Sequence, residues 1–84
     1  MNLLGFLILS IINDQNAIGK LRGMTVKDIA DSENLDCMDN TIYEQLKQFI
    51  DVGYIAQGVK DGHANTYYIT DSGKEFLSKE RSAS

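Results

Sequence analysis

The sequence predicts a small α+β domain in which helices pack around one apolar core and a β-hairpin follows them. Residues 39–52 place apolar side chains at helical spacing, and residues 54–59 and 66–70 are rich in β-branched and aromatic side chains. Asp61–Gly62 lies between these two runs and is a strong hairpin signal. The chain has 84 residues, 43% of them hydrophobic, which suffices for a single core.

The N-terminal segment, residues 1–12, is the most hydrophobic part of the chain and predicts a helix that runs to about Gln15. It is too short to span a bilayer, which takes about 20 residues. Because its side chains are apolar nearly all round, this helix must be covered on more than one side. We therefore expect a homodimer formed through the outer face of this helix, together with Phe76 and Leu77.

Two further helices follow a loop at residues 16–23. Thr25 is predicted to cap the second helix, with Asp28 in the reciprocal capping position, and Met24 to join a short strand. Asp39 or Asn40 is predicted to cap the third helix, and Gly53 to end it. The third helix places four apolar residues on one face, namely Ile42, Leu46, Phe49 and Ile50.

A short final helix is predicted after the hairpin, with Asp71 or Ser72 as its cap. Residues 79–84 are polar, and we expect them to form a flexible tail. The predicted organisation is one domain at residues 1–78 followed by this tail.

This order of elements is that of a winged helix-turn-helix, with a three-helix core, a β-hairpin wing and a short C-terminal helix. Residues 41–55 resemble the recognition helix and first wing strand of winged-helix transcriptional regulators. Residues 67–77 are similar to the motif that those proteins carry after the wing, and residues 4–9 resemble the opening helix of the PadR-like branch. The MarR-like branch is the other near relative. The resemblance implies sequence-specific binding of double-stranded DNA by a small transcriptional regulator.

The charge of the chain departs from the pattern of these families, whose recognition helices are commonly basic. The net charge is −4 at neutral pH. Residues 25–52 hold two basic and seven acidic side chains, a net charge of −5, whereas the rest of the chain has a net charge of +1. Carboxylates near phosphates are repelled. The field that attracts DNA must then come from outside the helix-turn-helix, and we expect the wing to carry an unusually large share of the contact.

Candidate DNA contacts follow from the chemistry of the side chains. Asn and Gln pair with adenine edges, Glu accepts from the cytosine amine, Lys reaches guanine or phosphate, and Tyr can donate to a phosphate. On the third helix the candidates are Asn40, Thr41, Tyr43, Glu44, Lys47 and Gln48. On the wing they are Lys60, His63, Asn65 and Thr66, and before or within the second helix they are Lys20, Arg22 and Lys27.

Other chemistry has little support in the sequence. A single cysteine, Cys37, rules out an internal disulfide, and with a single histidine, His63, it predicts no metal site. No catalytic arrangement, phosphate-binding loop or cofactor motif is present, so we expect neither an enzyme nor a cofactor. The composition fits the reducing cytoplasm.

Two alternatives to a transcriptional regulator stay open. The first is a winged helix that binds a basic protein partner through its acidic helix-turn-helix. The second is an accessory DNA-binding protein of a mobile element, acting at a replication or transfer origin.

Overall fold

The computed structural model describes residues 2–33 and 35–83, and it has the predicted α+β, winged helix-turn-helix architecture. Strand β1 pairs with β2 in an antiparallel hairpin, with Ile55 opposite Ile69 and Gln57 opposite Tyr67. The elements in chain order are α1 (Leu3–Asp14), α2 (Val26–Ser32), α3 (Asp39–Asp51), β1 (Ile55–Gln57), β2 (Tyr67–Ile69) and α4 (Asp71–Ser82).

The core lies between α1, α3 and the hairpin. The predicted apolar face of α3 is confirmed, since Ile42 and Leu46 are fully buried and Phe49 is nearly so, while Ile50 is half-buried at the edge. Opposite them lie the buried side chains of α1, namely Ile8, Leu9, Ile11 and Ile12. Burial of a side chain of this size stabilises a fold by about 1.5–3 kcal/mol.

Helix α1 is covered mainly by its own chain, because it packs against α2, α3, α4 and β2. Leu77 of α4 is only 1% exposed and belongs to this core. Its predicted place in a dimer interface is therefore wrong. Phe76 stacks on Tyr54 with 4.4 Å between ring centroids. Leu3, at 73% exposed, is the apolar residue of α1 that the chain covers least.

The helix caps follow the prediction at α2 and depart from it at α3. The Thr25 hydroxyl accepts from the Asp28 backbone N–H at 3.0 Å, and the Asp28 carboxylate accepts from the Thr25 N–H at 3.1 Å. At α3 the cap position is Met38, which makes no side-chain hydrogen bond, and Asp39 is already helical. Its carboxylate still lies in the first turn, where the negative charge interacts favourably with the positive end of the helix dipole.

Thr70, rather than Asp71 or Ser72, caps helix α4. Its hydroxyl accepts from the Gly73 N–H at 3.1 Å and donates to the Gly53 carbonyl at 2.6 Å. Its N–H donates to the Tyr54 carbonyl at 3.0 Å. Thr70 takes the cap position because its hydrogen bonds to Gly53 and Tyr54 also join α4 to the segment just before β1.

Helix α4 is longer than predicted and runs through Ser82. Arg81 forms an ion pair with Asp14 at the end of α1, with 3.1 Å between nitrogen and oxygen. This long-range contact joins the last turn of α4 to the end of α1. The flexibility predicted for residues 79–84 is not tested and stays a prediction, and Ser84 lies outside the described residues.

The hairpin is shorter than predicted in regular strand, but its pairing continues toward the tip. Asp61 and Ala64 form a bridge around Gly62, whose φ of +64° suits a glycine. Met24 joins the sheet as predicted, since it exchanges two backbone hydrogen bonds of 2.8 Å with Tyr67.

Tyr67 is the largest of the fully buried side chains. Burial of its phenol raises the pKa of Tyr67 above the usual value near 10, and the neighbouring Tyr43 raises it further. Hydrogen bonds with the side chains of Asn65 and Gln57 oppose part of this rise. Tyr67 is thus a buried wing residue that lies close to Tyr43 on the exposed side of α3.

We expect Thr25→Ala to lower the free energy of unfolding by about 1 kcal/mol, because it removes the hydroxyl that accepts from Asp28. Thr25→Ser keeps that hydroxyl and is the control. Urea denaturation of the two variants measures the difference, and equal midpoints would show that the cap contributes nothing.

We expect the free energy of unfolding to fall as the pH rises above about 10, the ordinary tyrosine pKa. The raised pKa of Tyr67 keeps its phenol protonated in the folded state at pH values where the unfolded state already ionises. The contribution of Tyr67 to the free energy of unfolding is therefore complete below about pH 10 and is lost as the pH rises through the pKa of the folded state. Tyr67→Phe should flatten this decline in denaturation curves, whereas Tyr68→Phe should retain it. An unchanged decline in Tyr67→Phe would contradict the role given to burial.

Candidate nucleic-acid interface

Helix α3 presents a polar face to solvent. All six side chains predicted to contact DNA from this helix are exposed, because its apolar stripe faces the core. Gln45 is also polar but does not belong to this face, because it is only 9% exposed and packs against Gly5 of α1. The helix therefore has the form that a major-groove reader requires.

The wing side of this face continues into an open groove. The groove runs between the N-terminal ends of α2 and α3 and the tip of the wing. It brings together four predicted contact residues, Lys27, Asn40, Tyr43 and Asn65. Three carboxylates, those of Asp28, Asp39 and Asp61, line the same groove, so its own field is acidic.

Lys47 lies next to this groove, with its ammonium 5.7 Å from the ring centroid of Tyr43. A cation at this distance is attracted to the ring face. Lys47 also lines a hollow with Ala56 and Gln57 of β1. Gln57 is an exposed polar residue that the sequence analysis missed. The sequence could have indicated this residue, because Gln57 follows Ile55 and Ala56 at the point where strand β1 leaves the core and reaches solvent.

Two predicted residues of α3 lie away from the wing. Gln48 lines a separate hollow with Asn2, Val52 and Phe76, on the side of α3 that faces α1 and α4. Thr41 is exposed but lines none of the hollows that contain the wing residues. The polar face of α3 thus has a wing side and a far side.

The loop between α1 and α2 lies against the wing. The Val59 N–H donates to the Lys20 carbonyl at 2.9 Å, so the backbone that carries Lys20 and Arg22 adjoins the backbone that carries Lys60. All three basic side chains are exposed, as is His63 at the hairpin tip. The structure therefore gathers at one edge the cations that are scattered in the sequence.

Thr66 corrects the list of predicted contacts. It is 4% exposed, and its hydroxyl donates to the Val59 carbonyl at 2.7 Å. The side chain is committed to the base of the wing, so we remove it from the candidate interface. The sequence pattern did not reveal this because a threonine suits either face of a strand.

The seven carboxylates of residues 25–52 all lie on exposed residues. Within the described residues, no three His, Cys, Asp or Glu side chains are grouped as metal ligands. No described helix has the length and hydropathy to cross a membrane. Cys37 is half-buried and packs against the core.

Comparison with known proteins finds a similar sequence among DNA-binding proteins. No protein-family model matches the chain. The DNA-binding protein TubR of Clostridium botulinum C phage is 27% identical over 70 residues, which span 83% of this chain and 84% of that protein.

Solved structures have the same fold. TubR from Bacillus megaterium pBM400 superposes with a TM-score of 0.76 at 19% identity, over 89% of this chain and 80% of that one. A PadR family transcription regulator from Clostridium difficile R20291 superposes with a TM-score of 0.76 at 20% identity, over 98% of this chain and 86% of that one. The resemblance to PadR-like winged-helix proteins is confirmed at the level of fold, and this chain is a winged helix-turn-helix domain.

Proposed function

We propose that this protein binds double-stranded DNA sequence-specifically, as a small transcriptional regulator, with α3 in the major groove and the wing beside it. The observation that carries the proposal is the exposed polar face of α3, which continues without a break into the groove that holds Asn65 of the wing. The similarity to a phage protein named for DNA binding, over most of both chains, supports it.

Each exposed side chain of α3 has a chemistry suited to DNA. Asn40 and Gln48 offer amides to adenine edges, and Glu44 can accept from a cytosine amine. Lys47 reaches guanine or a phosphate, and Tyr43 can donate to a phosphate. Thr41 serves in the same role as Tyr43 from the far side of the helix.

The cations outside α3 offset its carboxylates. The loop carries Lys20 and Arg22, and the wing carries Lys60 together with His63 and Asn65. Lys27 lies in the groove. The wing edge then supplies a larger share of the phosphate contacts than α3 does.

The phage origin of the TubR relative favours one form of this function. An accessory DNA-binding protein of a mobile element, acting at a replication or transfer origin, uses the same interface as a repressor. Mapping the bound sites relative to an origin or a promoter separates the two.

The seven exposed carboxylates of residues 25–52 favour a second candidate, a module that docks a basic protein. Such a module would not bind duplex DNA even at low salt. We propose that the protein acts in the cytoplasm, whether it binds DNA or docks a basic protein.

The polar face of a single α3 covers few base pairs, so we also propose a homodimer. Leu3 and the half-buried Phe6 and Leu7 supply apolar surface on the outer side of α1. Two copies would present two α3 helices to half-sites about one turn of DNA apart.

Fluorescence anisotropy with mixed duplex fragments, at about 50 and about 200 mM salt, tests DNA binding. We expect the logarithm of the affinity to fall with the logarithm of salt by about 0.9 per phosphate contacted. Lys60→Ala with His63→Ala should weaken binding by about threefold to tenfold, and by more than Glu44→Gln does.

An equal or larger loss in Glu44→Gln would contradict the dominant role of the wing. Absence of binding at the lower salt concentration would overturn the DNA-binding proposal and favour the protein-docking module.

Sedimentation at tens of micromolar protein tests the dimer. We expect a dimer that Leu3→Lys converts to monomer, because a charge in an apolar interface is costly. A wild-type monomer at these concentrations would contradict dimerisation through α1.

A further inference from the structure

The two connections that flank helix α2 each carry an apolar side chain that the fold leaves in solvent. Leu21, in the loop between α1 and α2, is 87% exposed, and Met38, in the turn between α2 and α3, is 75% exposed. They are the most exposed of the large hydrophobic residues that the structure describes. Apolar surface gains free energy when it leaves water, so both positions are suited to contact with a partner.

Leu21 has basic surroundings. Lys20 and Arg22 flank it in the chain, and Val59 and Lys60 of the wing line the same hollow. The Val59 N–H donates to the Lys20 carbonyl at 2.9 Å, so the loop is fixed to the wing. We call these five residues the loop–wing patch.

Met38 has acidic surroundings. Residues 31–39 hold four carboxylates and no cation, and all four acidic residues are exposed. Leu35 and Cys37 pack against the core, which leaves the intervening Asp36 and the following Met38 on the outside. We call Met38 and the four acidic residues the turn patch, which thus consists of Asp31, Glu33, Asp36, Met38 and Asp39.

The charges of both patches are available to a partner. Among residues 2–33 and 35–83, the ion pairs join Lys79 with Glu75 and Arg81 with Asp14, and neither pair includes a member of either patch. The turn patch has a charge of −4, and the loop–wing patch has a charge of +2 even when its neighbour Asp61 is counted. The two patches are therefore complementary, since each places charges of opposite sign beside an exposed apolar side chain.

We propose that the turn patch of one copy docks on the loop–wing patch of a second copy, with Met38 against Leu21 and Val59. The carboxylates of the turn then face the three cations of the loop and the wing. Because the two patches are unlike surfaces, this contact is heterologous and differs from a two-fold dimer through α1. It belongs to the small, transient class of interfaces below about 1,200 Å², so we expect it at hundreds of micromolar protein rather than at tens.

The contact uses the same cations that the proposed function assigns to DNA phosphates. A second copy and DNA therefore exclude each other at the loop–wing patch, and the carboxylates of the turn take the place of phosphates. This competition rests on the proposed function, whereas the contact between copies does not. Concentrated protein is then held in a form whose phosphate-binding edge is covered.

Backbone amide NMR of the wild-type protein at about 50 and about 500 μM tests the contact. We expect concentration-dependent shifts at residues 20–22, 35–39 and 59–60 in about 50 mM salt, and their loss in about 500 mM salt, where the attraction is screened. An apolar dimer through α1 would instead survive the higher salt concentration.

Leu21→Ser and Met38→Ser test the two apolar side chains, with Val52→Ser as the control. Each of the first two should weaken the association about tenfold, as expected when one apolar side chain leaves an interface. Val52 is 60% exposed but belongs to neither patch, so its variant should stay within about twofold of wild type. Met38→Ser should remain folded, because residue 38 is the cap position of α3, where serine is favourable.

A mixture of the two variants tests which surfaces meet. Leu21→Ser retains the turn patch, and Met38→Ser retains the loop–wing patch. Isotope-labelled Leu21→Ser should show shifts at residues 35–39 when unlabelled Met38→Ser is added, and none when more Leu21→Ser is added. With the labels reversed, the shifts should occur at residues 20–22 and 59–60.

A DNA duplex that the wild-type protein selects from a random pool tests the competition. At saturating duplex, the shifts at residues 35–39 should no longer depend on protein concentration. If they still do, the competition with DNA is wrong, although the contact between copies stands.

Two results would overturn the contact itself. One is the absence of concentration-dependent shifts in wild type, and the other is an association of Leu21→Ser and Met38→Ser that matches that of Val52→Ser. Shifts in either variant alone that equal those of the mixture would show that like patches meet, which also contradicts the proposal. A protein that binds no duplex at low salt but passes the mixing experiment would overturn the proposed function alone.

Discussion

Strand β2 holds the molecule together because backbone hydrogen bonds leave it from both edges. On one edge it pairs with β1, and on the other Tyr67 bonds with Met24 and the Ile69 N–H donates to the Ala17 carbonyl at 2.8 Å. Tyr67 and Ile69 are also buried, and Thr70, directly after them, starts α4. A strand fixed on both edges cannot shift, so the wing that it supports has a defined position relative to α3.

Because the wing has a fixed position relative to α3, the acidic charge of the chain is compatible with a DNA-binding fold. Charges on an exposed surface are screened over about 8 Å at physiological salt, so the local arrangement matters more than the total of −4. The groove beside α3 is acidic, whereas the loop and wing edge is basic. We infer that the two regions divide the task, with α3 reading bases and the edge attracting phosphates.

Much of the resemblance to winged-helix regulators comes from residues that serve the core. The segment after the wing contains Thr70, which caps α4 and contacts Gly53, and Gly73, where a Cβ would collide with the Tyr54 carbonyl. These contacts explain why the fold was predictable from a few short segments. They also explain why the same segments say little about the DNA sequence that is bound.

The sequence by itself determined the helices, the hairpin and the apolar face of α3, because periodicity and turn signals are local properties of the chain. Tertiary structure decided the cap of α4, the burial of Thr66 and Leu77, and the joining of Lys20 to the wing. Each of these depends on the approach of segments that are distant in sequence. At Gly58, contact with the residue 20 backbone is possible because a side chain is absent, and no local pattern reveals which distant backbone will occupy that space.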